Sequence, residues 1–259
     1  LPDTHKPRHS LDLHHEIMLQ LMDGEIHLSP LKDPQRILDI GTGTGIWAID
    51  AADRYPMAEV IGTDLSPIQP KLTPDYSRFE VDDAELDWTY DANLFDFIHL
   101  RNVAQGIGNW PKLMAEVYRC TKPGGYVELA EVSLPQHTDD NTAKGGTSVW
   151  CDRMAEAMAK INRPFPSDHR DLTEKLENAG FVDVHYRLYK QPVGLWPKEK
   201  KFKNIGGMAL MTCDTAGFEA YGMQVFTKIL EMSTEEAKKV CRDALEDVRK
   251  KTTHLYCCL

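Results

Sequence analysis

Apolar and polar positions along this chain follow two different periods. In the first half, short apolar runs at residues 36–40 (RILDI), 58–64 (AEVIGTD), 78–83 (RFEVDD), 94–102 (LFDFIHLRN) and 125–132 (GYVELAEV) are interleaved with helical spacing at 45–55 and 111–120. Such runs joined through helices predict parallel strands with crossover helices. Ahead of them, Leu13, Ile17 and Leu21 fall on one helical stripe that Gly24 would stop, behind a polar, proline-containing arm over residues 1–10. Downstream, Asp168 reads as the N-cap of a helix over 172–179 that Gly180 ends, and 181–189 (FVDVHYRLY) reads as a strand. Residues 198–231 read as one or two helices rich in Met, Phe and Gly. A capping box, Ser233 to Glu236, opens another helix whose stripe is Ala237, Val240, Cys241, Ala244, Leu245 and Val248. Residues 253–259 read as a final strand. The expected fold is α/β: a seven-stranded, mostly parallel sheet with helices on both faces, an N-terminal helix over residues 1–30 with its arm, and a helical, lid-like insertion at 198–231 within a domain spanning 31–259.

Composition narrows the function classes. The 259 residues are 42% hydrophobic, enough for a sizeable core, and the formal net charge of −10 argues against a nucleic-acid surface, which needs clustered Lys and Arg. The KEKKFK stretch at 198–203 reads as a solvated helix face. Six cysteines show neither paired CxxC spacing nor histidine partners at finger spacing, so neither a metal site nor a disulfide framework is expected, and a reducing compartment fits. The absence of a long apolar run and of an apolar signal core predicts a soluble intracellular protein, cytoplasmic or nuclear, without a membrane partner.

Candidate chemistry starts at GTGTG, residues 41–45. A strand running into Gly41, Gly43 and Gly45 and then a helix lets the backbone turn tightly and approach a ligand without Cβ obstruction. The third glycine falls one residue early for the dinucleotide fingerprint, and Ile46 occupies its sixth position, so the spacing disfavours a nicotinamide dinucleotide. Nineteen residues past Gly45, Asp64 ends the second strand, where a carboxylate can accept both hydroxyls of a ribose. Nineteen further on comes VDDAE, where Asp83 could accept from an exocyclic amine and Ala84 offers a backbone amide. A Pro-Gly-Gly turn precedes the fifth strand.

These motifs, spanning residues 36–131, resemble the S-adenosylmethionine-binding motifs of class I methyltransferases, and with DLHHEIMLQLMDGEIHLSPL, GTDLSPIQP, FEVDDAELDWTY, FDFIHLRNVAQGIGNWPKL and PVGLWPKEKK the chain is similar to the fungal LaeA-like methyltransferases. Thr121 stands where that family usually has Leu. The resemblance implies a Rossmann-like fold and S-adenosyl-L-methionine as cofactor. By it, Asp39 and the loop Gly41, Thr42, Gly43 and Gly45 would hold the methionine moiety, Asp64 and Leu65 the ribose, and Asp83 with Ala84 the adenine. Asp82, Arg101 and Asn102 join the candidate cofactor contacts. The function implied is methylation of a small secondary metabolite on O, N or S; the LaeA-like alternative is a nuclear regulator of secondary metabolism acting through velvet-type protein partners or by methylating a protein.

Methyl transfer from a sulfonium needs in-line alignment of a nucleophile and, when that nucleophile carries a proton, its removal. Ligands of open α/β sheets sit beyond the carboxyl ends of the strands, which nominates Arg101, Asn102, Glu131 and His137. His14 and His15 on the N-terminal helix are further candidates for base or cofactor contact. His99, inside the fourth strand, reads as a hydrogen-bonded core residue, and Glu128, in mid-strand, as a partner of Arg or of a backbone amide.

Overall fold

Residues 5–70, 77–134, 137–166, 169–213 and 217–259 are described by the structure, a computed structural model, with side chains from residue 9 onward. The chain divides into two compact units, one formed by residues 24–131 and 168–186, the other by 1–23, 132–167 and 187–259.

The first unit is built on five parallel strands, β1 (Arg36–Ile40), β2 (Glu59–Asp64), β3 (Ser77–Val81), β4 (Phe95–Arg101) and β5 (Thr121–Ala130), in the order β3-β2-β1-β4-β5. Both faces are covered, which is why the central strands read as near-continuous apolar runs. Leu38, Ile40, Ile98 and Leu100 pack with Leu113, Met114 and Val117 of α3 (Trp110–Cys120), beside Leu176 and Ala179 of α5 (His169–Ala179). From the other side Trp47 of α2 (Ile46–Arg54) lies against Phe97 and His99. Asn109 caps α3 by accepting from the Lys112 amide at 3.1 Å, and Pro111 takes a first-turn position where its missing N–H costs nothing. Gly180, at φ 110°, ends α5.

The second unit holds α1 (His5–Leu21), α4 (Gly146–Lys160), α6 (Lys200–Thr212), α7 (Phe218–Lys228) and α8 (Thr234–Val248), with an antiparallel pair of strands, β6 (Lys190–Val193) and β7 (Leu255–Cys258). Its core gathers Ile17, Trp150, Met154, Ile205, Phe226 and Ala244 from all five helices. The Ser233–Glu236 capping box is present in full. Most of the methionine and aromatic side chains of α6 and α7 serve this core: Phe218 and Phe226 are buried, and Phe202, Met208 and Met223 pack against it.

The α/β fold, the N-terminal helix and helices on both faces of the parallel sheet are as the sequence predicts. Four expectations need correction. The seven strands form a five-stranded parallel sheet and a separate two-stranded pair, because β6 and β7 bond each other antiparallel. Residues 181–188 enter no ladder among the described residues: Phe181 packs on Tyr118, Asp183 takes φ 55° and residues 185–188 are all exposed, so no alternation forms, and backbone pairing starts at Tyr189, which exchanges two hydrogen bonds with Leu259 at 2.9 Å ahead of β6. Residues 5–10 are helical rather than a loose arm, with Pro7 confined to the first turn. Asp168 lies outside the described residues. The Pro-Gly-Gly turn is a bulge inside β5: the register steps from Phe95–Thr121 to Phe97–Tyr126, with Gly124 at φ 79°.

The helix α4, which the sequence pattern does not announce, crosses α8 at very short range. A Cβ on Gly146 would stand 2.2 Å from the backbone of Asp243, and the Thr147 hydroxyl donates to the buried Asp247 carboxylate at 2.8 Å. Backbone cannot yield as a flexible side chain would. Gly146→Ala is therefore expected to lower stability by about 1–3 kcal/mol, as overpacked cores do, whereas Lys239→Ala, on the exposed face of α8, stays within about 0.5 kcal/mol; thermal unfolding of the two variants measures the difference.

Candidate functional site

The carboxyl ends of β1, β2 and β3 converge on the glycine loop. Gly41, Gly43 and Gly45 all take positive φ (70°, 59° and 82°), a region that costs other residues free energy. Space also excludes side chains: a Cβ on Gly41 would meet Val103 Cγ1 at 2.5 Å, and one on Gly45 would meet Phe79 Cζ at 2.3 Å. The loop is stitched to β2 by the Thr42 amide, donating to the Thr63 carbonyl at 2.9 Å, and by the Gly43 amide, donating to Asp64 Oδ2 at 2.8 Å. Asp64 Oδ1 accepts the Ser66 amide at 2.8 Å, which orders Leu65, a side chain 67% exposed at the rim.

Beneath the loop lies a buried polar cluster. Asp39 and His99 are register partners on β1 and β4, so their side chains leave the sheet on the same face, and His99 Nδ1 lies 2.7 Å from Asp39 Oδ1. Asp39 Oδ2 accepts the Thr42 hydroxyl at 2.6 Å. The imidazole stacks flat on the Trp47 indole, with centroids 3.7 Å apart and planes 7° apart, and the indole N–H donates to the Ile26 carbonyl at 2.8 Å. Asp39 is thus a carboxylate whose two oxygens are both engaged, as burial demands. Arg101, at the end of β4, has its pKa lowered by burial, against the opposing pull of the Asp39 and Asp50 carboxylates.

The acidic turn after β3 stands beside Asp64, whose register partner is Val81. The Asp82 amide donates to the Asp64 carbonyl at 3.2 Å, Asp82 Oδ1 accepts from the Asp83 amide, and Asp83 Oδ1 accepts from the Glu85 amide at 3.0 Å. These local bonds leave Asp83 Oδ2 outside the turn. The Ala84 carbonyl accepts from the Trp88 indole at 3.1 Å. Glu85 reaches on to the Gly108 and Asn109 amides, fixing the approach to α3.

At the ends of β4 and β5, Asn102 takes φ 54°, which asparagine tolerates, and donates its amide to the Ala130 carbonyl. Glu131 Oε1 accepts the Val103 and Ala104 amides at 2.8 and 3.1 Å, while its buried Oε2 has no hydrogen-bond partner. Burial pushes this carboxyl up to about 7, against the pull of those two amides. Through Val103, which presses on Gly41, Glu131 also sets one wall of the glycine loop.

His15 is on α1, buried at 3% exposure, and His14 is on the same helix; both belong to the second unit. His137, also in that unit, forms a backbone bridge with Tyr256 (2.7 and 3.0 Å) and stacks on its ring at 5.6 Å. Glu128 accepts from the Leu28 and Ser29 amides, fastening the segment before β1. One residue that the sequence reading passed over belongs to the loop: Gln69, whose carboxamide reaches the Gly43 carbonyl. Its flanking prolines, Pro67 and Pro70, make the stretch read as a plain turn. Among the described residues no group of three or more His, Cys, Asp or Glu is placed to hold a metal ion, and no helix is long and apolar enough to cross a membrane.

Residues 13–186 match the sequence pattern of a methyltransferase domain. The chain is 34% identical over 265 aligned residues to methyltransferase pytC of Aspergillus terreus, covering 98% of this chain and 78% of that protein. It is 35% identical over 227 residues to the secondary metabolism regulator LAE1 of Cochliobolus heterostrophus, covering 85% and 73%. Among solved structures, a methyltransferase of Bacillus halodurans C-125 is similar in fold, with TM-score 0.55, 18% identity, and coverage of 93% of this chain and 94% of that one.

The raised Glu131 carboxyl makes stability depend on pH. A folded-state pKa near 7, above the ordinary 4.5, means that the folded protein keeps a proton the unfolded chain releases; its contribution is complete below pH 4.5 and is lost as pH rises through 7. Relative to wild type, Glu131→Gln is expected to gain stability between pH 5 and pH 8, by on the order of 3 kcal/mol, a constant offset aside; urea unfolding at the two pH values measures it.

Proposed function

Because this chain belongs to the S-adenosylmethionine-dependent methyltransferases, we propose that it methylates a small, largely apolar secondary metabolite on oxygen, nitrogen or sulfur. The observation that carries this reading is Tyr221 of α7. The side chain is 62% exposed, yet loss of solvent around it raises its hydroxyl pKa. Met211 of α6, 51% exposed, adds an adaptable apolar side chain to the same helical segment. Exposed aromatic and apolar side chains with one polar hydroxyl suit a small organic acceptor.

The donor side fits the residues present. The loop at Gly41 and Gly45 has no room for Cβ atoms, which keeps its backbone in one tightly turned shape at the strand end. In this reading Asp39, Gly41, Thr42, Gly43 and Gly45 hold the methionine moiety, with Arg101 and Asn102 offering donors to its carboxylate. Asp64 and Leu65 hold the ribose. Asp83, through the oxygen its own turn does not use, takes the adenine amine, with Ala84 beneath and Asp82 ordering the turn. The bound cofactor supplies a methyl group activated by a sulfonium. Carboxylates at 39, 64 and 83 give the site a negative field that suits a cationic donor. Glu131 acts through Val103 on the loop wall.

A second reading, a regulator that acts through a velvet-type protein partner or methylates a protein, draws on the similarity to LAE1. Purified protein incubated with S-adenosylmethionine and fractionated fungal metabolites is expected to release S-adenosylhomocysteine with a low-molecular-weight fraction. Release only with protein fractions would sink the metabolite reading. Independently, Asp64→Asn, which removes a charge that both orders the loop and accepts from the ribose, is expected to weaken S-adenosylhomocysteine binding at least about tenfold, measured by calorimetry.

A further inference from the structure

The glycine loop is held on its amide side by β2, and its carbonyl side raises a separate question. Gly43 donates its N–H to Asp64 Oδ2. Its carbonyl accepts from Gln69 Nε2 at 2.7 Å, and the same nitrogen donates to the Ser66 carbonyl at 2.9 Å. Both partners are carbonyl oxygens, so only the nitrogen end of the carboxamide can face them, and the assignment of the amide group is fixed by chemistry. One side chain therefore spends two N–H bonds on joining the middle of the glycine loop to the turn that follows Asp64.

The juxtaposition matters because these two segments have different tasks. A loop with three glycines at positive φ has an unusually large conformational freedom to lose on ordering. Fixing it in advance removes that cost from ligand binding. Asp64 orders the loop from the side of β2, and its second oxygen orders the Ser66 amide. Gln69 closes the ring from the other side, so that loop, Asp64 and Ser66 form one hydrogen-bonded circuit.

We infer that Gln69 is a positioning residue for the cofactor: its carboxamide couples the segment that takes the methionine moiety to the segment that takes the ribose, and sets both before the ligand arrives. This rests on the cofactor assignment made above and adds to it a residue that touches the loop rather than the ligand. The circuit makes a chemical prediction beyond loss of packing. In Gln69→Glu the ionised side chain has no donor and turns a charge toward two carbonyl oxygens, whereas the protonated form recovers one of the two bonds.

The test is calorimetric titration of wild type, Gln69→Leu and Gln69→Glu with S-adenosylhomocysteine at pH 5 and pH 8, each variant expressed as a ratio to wild type at the same pH. Gln69→Leu is expected to bind about tenfold more weakly at both pH values, the effect of roughly two ordinary hydrogen bonds. Gln69→Glu is expected to be weaker than Gln69→Leu at pH 8 and to recover several-fold toward wild type at pH 5. Wild-type affinity in both variants, or equal losses that ignore pH, would overturn the inference. Failure of the wild-type protein itself to bind S-adenosylhomocysteine would instead strike the cofactor assignment on which it rests.

Discussion

Asp39 is a carboxylate out of reach of water at the carboxyl end of β1, and the geometry of the site follows from how its two oxygens are satisfied. One takes the Thr42 hydroxyl and the other the His99 imidazole. A buried carboxylate left without partners would cost several kcal/mol, so the position at 39 obliges the loop above it and the strand beside it to present donors. The Thr42 bond pins the loop to the strand it leaves. The His99 bond pins β1 to β4, and the imidazole rests on Trp47, which brings α2 into the same arrangement. Sheet, loop and α2 are in this way fixed around one carboxyl group.

A second layer of fixing lies around the loop rather than under it. Asp64 and Gln69, at the two ends of the turn after β2, and Glu131, after β5, each hold backbone amides or carbonyls of neighbouring segments. Their work is of one kind. Loops at strand ends carry backbone groups that no ladder satisfies, and a polar side chain that reaches them replaces the missing secondary structure. The glycines supply shape, and these three side chains supply rigidity.

Much of this was legible in the sequence, for physical reasons that can be named. The strands β1, β2 and β4 announce themselves because a sheet covered on both faces demands near-continuous apolar runs, and Gly41, Gly43, Gly45 and Asp64 stand out because backbone turning and a terminal carboxylate have few chemical substitutes. His99 was recognisable as a core histidine from its place within β4. What stayed hidden depends on contacts between distant residues. That Asp39 faces His99 is a matter of strand register; that Gly145 and Gly146 open α4 depends on α8 passing close by; and Gln69 matters only because the loop folds back to meet it. The stretch 181–189 misled in the opposite sense: it has the composition of a strand, but pairing needs a neighbouring backbone, and among the described residues only its last member, Tyr189, meets one, at Leu259.

The ring of Phe79 deserves a last consideration. It occupies the space that a Cβ would need on Gly45, in the loop, and on Gly62, in the middle of β2. Those two glycines are therefore not independent of each other or of position 79, and effects of substitutions at the three sites will not add. Shrinking the side chain at 79 would clear only part of the way: Gly45, at φ 82°, stays strained for any side chain, and a Cβ on Gly62 would still stand 2.8 Å from Thr42 Oγ1, which ties the middle of β2 to the loop through two side chains at once.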